Sequence, residues 1–146
     1  MKMLTAALVL AIAPITAHAA DNFTFVTTGK AIGAVRVPAQ GPTFQGAQVN
    51  DTSAVVTYAD GHKETVTAKC ATWTNAPGSQ FIQSGVCTSP NGYEQNYSCA
   101  LRAAPKQGVN CWGILHGTAG GKYAGRTGLL TYTNGPEGLS GVGSWD

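Results

Sequence analysis

The sequence predicts an all-β protein, a small antiparallel up-and-down β-barrel of about eight strands, with a β-sandwich as the alternative. From Phe23 onward apolar and polar residues alternate with period two, and no helical period sets in. Four cysteines, Cys70, Cys87, Cys99 and Cys111, flank two hairpin-like stretches. Gly117, Gly120, Gly121, Gly125, Gly128, Gly135, Gly138, Gly141 and Gly143 crowd two short aromatic and β-branched runs near the C-terminus. Glycine at that density within strand-like sequence marks sharp bends and close backbone approach.

Residues 1–20 read as a cleaved export signal. Lys2 gives a positive start, Leu4 to Ile15 an apolar core broken by Pro14, and Ala17-His18-Ala19 a cleavage motif. That core is shorter than the roughly 20 apolar residues of a membrane-spanning helix. Residues 21–146 then form one domain, periplasmic or secreted, with no linker or low-complexity tract inside it. The strand runs are Phe23 to Thr28, Ala31 to Val37, Ser53 to Ala59, His62 to Ala71, Phe81 to Cys87, Tyr93 to Leu101, Asn110 to His116, Tyr123 to Thr133 and Leu139 to Trp145. Residues 39–52 are rich in Gln, Gly and Pro; they hold either a strand around Phe44 to Val49 or a loop. Asp60-Gly61 between β-branched runs predicts a two-residue type I′ turn, which sets Val55 against Val66 and Thr57 against Glu64.

An even set of cysteines in an exported chain predicts disulfides. A hairpin centred on residues 75–79 brings Cys70 opposite Cys87, and one centred on residues 104–106 brings Cys99 opposite Cys111. No C-x-x-C pair suggests a metal site, so neither metal nor cofactor is expected. The formal charge of +2 falls to +1 when Lys2 leaves with the signal, and the remaining cations are scattered. Phosphate neutralisation needs a basic patch, so nucleic acid is not an expected partner. Trp145 near the C-terminus could belong to an outer-membrane barrel. The sustained lipid-facing apolar band of such barrels is missing, so the chain is not expected to be membrane-embedded; Trp145 instead reads as a plug at one barrel end.

The stretch from Leu115 through His116-Gly117-Thr118-Ala119-Gly120-Gly121-Lys122-Tyr123-Ala124-Gly125-Arg126-Thr127-Gly128 resembles the G-G-[ST]-G-x-[FY]-x-G-x-x-G hairpin of the allene oxide cyclase and dirigent barrel superfamily, and of small exported bacterial proteins of unknown function that share it. Ala119, between Thr118 and the double glycine, departs from the pattern. The resemblance implies a closed barrel rather than a sandwich, and a cofactor-free cyclase or isomerase as one activity. It transfers no catalytic residue to this chain.

No G-x-S-x-G or H-E-x-x-H signature is present. His62 and Glu64 share a strand face with Val66 and Ala68, so an inward face would set an imidazole and a carboxylate at a barrel mouth as proton carriers. The competing reading, a solvated hairpin tip, follows from the projection of short turns beyond the sheet. His116, with Trp112 and Ile114, is the third candidate: if Cys99 and Cys111 face inward, that stripe faces outward as an oligomer or partner surface. A bulge at Gly113 would instead turn it into the pocket. Tyr58, Tyr97, Trp112, His116 and Tyr123 are the candidate ligand-binding residues. The expected function is binding of a small apolar or aromatic molecule or of a partner protein. Alternatives are a cofactor-free isomerase and a structural envelope or secreted protein; a homo-oligomer is compatible with each.

Overall fold

The computed structural model describes residues 20–37 and 45–146. The predicted export signal therefore lies outside the described residues, apart from Ala20. Eight strands run in chain order: β1 (Asp21–Val37), β2 (Gln45–Tyr58), β3 (Lys63–Thr74), β4 (Gln83–Ser89), β5 (Tyr93–Leu101), β6 (Val109–Gly117), β7 (Thr127–Gly135) and β8 (Gly138–Trp145). Each pairs antiparallel with the next, and β8 closes on β1 from Asp21 opposite Trp145 to Thr27 opposite Leu139. Closure removes the free sheet edges a sandwich would keep. No helix among the described residues is long and apolar enough to cross a membrane.

Period-two alternation decides what faces the interior. On β6, Val109, Cys111, Gly113 and Leu115 are buried while Trp112, Ile114 and His116 are exposed. Both cysteine pairs form as expected, each linking residues directly opposite on neighbouring strands with Cα atoms 4.0 Å apart. Each bridge is expected to contribute about 2–4 kcal/mol.

The strand boundaries differ from expectation at the start of the chain. The runs predicted at Phe23 to Thr28 and Ala31 to Val37 are one strand, with a register shift between Ala31 and Gly33. Residues 45–52 continue β2 without a break, while Phe44 lies outside the described residues. From Thr28 to Val37, β1 pairs only with β2 among the described residues, so this hairpin overhangs the barrel rim.

The Asp60-Gly61 turn is corrected as well. A type I′ turn needs positive φ at both central residues, but only Gly61 has it, at 88°. The Gly61 N–H donates to the Tyr58 carbonyl (2.9 Å), and the Tyr58 N–H to the His62 carbonyl (3.0 Å). The loop is therefore three residues, Ala59 to Gly61, with glycine in the left-handed position. One extra residue moves the register by one. Val66 lies opposite Ala54, Val55 opposite Thr65, and Glu64 opposite Val56.

The C-terminal glycines work by close approach. A Cβ on inward-facing Gly143 would lie 2.4 Å from Phe23 Cζ, so the absence of a side chain lets that ring lie flat against β8. At Gly117 a Cβ would fall 1.5 Å from the Tyr123 carbonyl oxygen, where the β6–β7 loop folds back on the strand end. Tyr123 was expected to begin a strand. It belongs instead to this loop, and β7 starts at Thr127.

Candidate functional site

One end of the barrel is a closed floor. It gathers the start of β1, the β2–β3 turn, the β6–β7 loop and the end of β8, and its side chains are Phe23, Tyr58, Tyr123 and Trp145, all buried. Tyr123 stacks on Trp145 at 4.4 Å and 10°. Arg126 lies over the same indole and pairs with Asp21 at 2.7 Å, tying the loop to both chain ends of the barrel. Glu64 Oε1 accepts a hydrogen bond from the Tyr58 hydroxyl (2.5 Å) and another from the Tyr123 hydroxyl, while Lys122 Nζ binds its second oxygen. The two tyrosine oxygens are 2.9 Å apart.

Electrostatics follow from that arrangement. Burial favours the neutral form of Glu64, but hydrogen bonds from Lys122, Tyr123 and Tyr58 outweigh it and hold the carboxyl below its usual range. Burial, then the hydrogen bond to this carboxylate, pushes the Tyr58 phenol up to about 12 and moves Tyr123 in the same direction. At neutral pH the cluster is an ionised carboxylate clamped by neutral phenols and a cation. That is a latch. Neither Glu64 nor its tyrosines titrates near neutrality, as a general acid or base would need.

Above the floor lies an open cavity of about 560 Å³. Phe23, Tyr58, Tyr123 and Trp145 form its base, and Phe25, Tyr97 and Tyr132 its wall. Tyr132 meets Tyr97 edge-on at 5.9 Å and Phe25 at 6.2 Å. Toward the opposite rim the lining turns polar, with Gln48, Asn50, Gln83 and Asn134 contributed by the rim ends of β2, β4 and β7. The Tyr97 hydroxyl is held by Thr72, and the Gln48 amide donates to Asn50 at 2.9 Å. Burial, then the neighbouring Tyr97, pushes the Tyr132 phenol up, so it remains a neutral donor. No charged side chain lines the cavity among the described residues.

The expected site residues divide between the two faces of the sheet. Tyr58, Tyr97 and Tyr123 line the cavity. The placing of Trp112 and His116 in a ligand pocket is corrected: both are exposed on the outer face of β6, because Gly113 stays in register opposite Tyr97 and Leu130 and introduces no bulge. The face carrying Glu64, Val66 and Ala68 does point inward, yet Glu64 belongs to the floor latch and does not line the cavity. His62 sits outside that latch, stacked on Tyr58 at 4.2 Å and paired with Asp60 at 2.5 Å, with about half of its side chain exposed. Among the described residues no group of three or more His, Cys, Asp or Glu is arranged to hold a metal ion.

Phe25, Gln95 and Tyr132 are among the lining residues that were not expected from the sequence. Their signal was parity. Gln95 shares the face of Cys99, Tyr132 that of Leu130, and Phe25 that of Phe23. On the outside, Ile114 sits opposite Leu129, and with Trp112 and Val142 they leave large apolar side chains exposed.

No family model, characterised protein or solved structure matches the chain. The kinship expected from the glycine-rich hairpin thus stands as a proposal, and the site is read from its geometry.

Proposed function

We propose that the chain is an exported barrel that binds a small apolar or aromatic molecule in its interior without a cofactor, in the periplasm or outside the cell. The observation supporting this is the cavity. Eight-stranded barrels have interiors just wide enough for their own side chains to fill, or for one small ligand. At about 560 Å³ this one falls within the usual 300–1,000 Å³ of small-molecule sites. The two cross-strand disulfides fit an oxidising compartment. A cyclase or isomerase of the allene oxide cyclase type gains no support from the proposed proton carriers. Glu64 is engaged in the floor, His62 stacks on the far side of Tyr58 and His116 faces outward.

Native mass spectrometry of the mature protein purified from its own host tests the reading. The expected result is an adduct lost on denaturation, absent when Ala68→Phe fills the interior. An unliganded spectrum, together with no binding of any neutral aromatic probe, would overturn it. Binding of a partner protein is a second reading, supported by the exposed Trp112, Ile114, Leu129 and Val142. Light scattering separates that role: a strict monomer at high concentration would exclude self-association through this surface.

A further inference from the structure

We propose that the molecule held in the cavity is an uncharged ring compound bearing carbonyl or hydroxyl oxygen, seated against Gln95 and Tyr132; this rests on the ligand-binding reading above. Two observations converge on that class. First, the lining offers no charge among the described residues, and the floor carboxylate, Glu64, is engaged by Lys122, Tyr58 and Tyr123. An anionic ligand would lose its hydration without gaining a counter-charge, so the site selects against it, and a cation resting on the aromatic faces would leave the acceptor needs of Gln95 and Tyr132 unused. Second, the lining contains polar groups with no partner in the protein. Tyr97 is bonded to Thr72, Gln48 to Asn50, and Gln83 reaches the Cys99 sulfur at 3.7 Å. The Gln95 amide and the Tyr132 hydroxyl make no side-chain hydrogen bond among the described residues.

Gln95 is only partly buried and neither of these polar groups is sealed from the cavity, so water can serve both while it is empty and a guest's oxygens can take the place of that water. Gln95 lies on β5 between Tyr93 and Tyr97 on the inward face, among aromatic rings rather than with the amides of the rim. It offers both a donor and an acceptor, and Tyr132 a hydroxyl; carbonyl or hydroxyl oxygens on a ring answer both. The wall ring of Tyr132 meets those of Phe25 and Tyr97 edge-on, a geometry in which aromatic guests are also accepted. A bare hydrocarbon would leave the Gln95 amide unpaired, and a fatty acid would bring a charge that nothing neutralises.

The test titrates the disulfide-intact protein with three fluorophores: prodan, a neutral naphthalene with a carbonyl; pyrene, a neutral hydrocarbon; and 1-anilinonaphthalene-8-sulfonate, an anion. Prodan is expected to bind tightest, with the sulfonate weaker by about tenfold or more. Gln95→Leu keeps the volume and removes the amide, and should weaken prodan by about tenfold while leaving pyrene within about twofold. Tyr132→Phe should weaken prodan alone in the same sense, and serves if Gln95→Leu does not fold. Sulfonate binding equal to prodan, or prodan affinity unchanged in both variants, overturns the ligand class and leaves ligand binding standing. Failure of all three probes on the folded protein overturns ligand binding itself, and this inference with it.

Discussion

Replacing Gly117 by alanine should unlatch the barrel floor. Gly117 ends β6, and a Cβ there would lie 1.5 Å from the Tyr123 carbonyl oxygen and 2.3 Å from its carbon. These are backbone atoms, so no rotamer change relieves the clash. The loop must move away, although Gly117 N–H donates to the Arg126 carbonyl at 2.9 Å and Arg126 N–H to the Tyr123 carbonyl at 3.0 Å. Displacing Tyr123 withdraws its hydroxyl from Glu64 and its ring from Trp145. Overpacking alone costs about 1–3 kcal/mol, and each of the two loosened loop hydrogen bonds about 1 kcal/mol, so a loss of about 3–5 kcal/mol is expected. Gly120→Ala is the control: it has positive φ (78°) but open space around it, so only a backbone strain of about 1–2 kcal/mol applies. At about 4 °C per kcal/mol for a domain of this size, Tm should fall by about 12–20 °C in Gly117→Ala and about 4–8 °C in Gly120→Ala. Thermal denaturation by far-UV circular dichroism measures both. The near-UV spectrum reports the Tyr123–Trp145 stack, which only Gly117→Ala should disturb. Equal Tm losses with unchanged near-UV spectra would refute the reasoning.

Glu64→Gln should lower stability at pH 7 by about 1–2 kcal/mol, since the clamped charge is only partly buried. Because the folded Glu64 titrates below its ordinary 4.5, its contribution is complete above that value and is lost as the pH falls through the folded pKa. The difference in Tm between wild type and Glu64→Gln should therefore shrink on acidification below about pH 4.5; a difference independent of pH would contradict the assignment. Replacing both Cys99 and Cys111 by alanine should cost about 2–4 kcal/mol in urea denaturation, and an unchanged midpoint would show the bridge to be energetically silent. Ala68→Phe should abolish probe binding while leaving Tm within a few degrees, whereas retained affinity would place the probe outside the barrel.

The barrel was legible because its signals are local and mutually consistent. Alternation assigned faces, and two hairpins of plausible length brought the correct cysteines together. What failed was arithmetic at single residues. The Asp60-Gly61 pair promised a two-residue turn, but Asp60 keeps negative φ and the loop takes in Ala59, so the β2–β3 register moved by one. Gly29 and Lys30 fell between two expected runs and are strand, since β2 is long enough to pair through them. The site was half legible. Tyr58, Tyr97 and Tyr123 were identifiable as aromatics with polar handles, but the Trp112–His116 stripe could be placed only once Gly113 was known to stay in register. Glu64's three partners lie 6, 58 and 59 residues away in sequence, and the two distant ones are beyond the reach of local pattern.

The glycines also explain why the interior is open at all. In a barrel of eight strands, large inward residues on every strand would meet at the axis and fill it. Here Gly85, Gly113, Gly128, Gly141 and Gly143 occupy inward positions, and aromatic rings lie over several of them. A Cβ on Gly85 would fall 2.4 Å from the Tyr97 ring, one on Gly143 2.4 Å from Phe23, and one on Gly141 2.8 Å from Phe25. Each ring covers a neighbouring strand's backbone instead of projecting toward the axis, so it buries its area against the wall. Aromatic burial and an open centre, which ordinarily compete, are thereby reconciled. Cavity volume in this chain is a property of glycine placement two strands at a time, and because a Cβ at Gly85, Gly141 or Gly143 would also meet a neighbouring strand's carbonyl oxygen, at 2.7, 2.3 and 2.8 Å, the same glycines hold the strands in register.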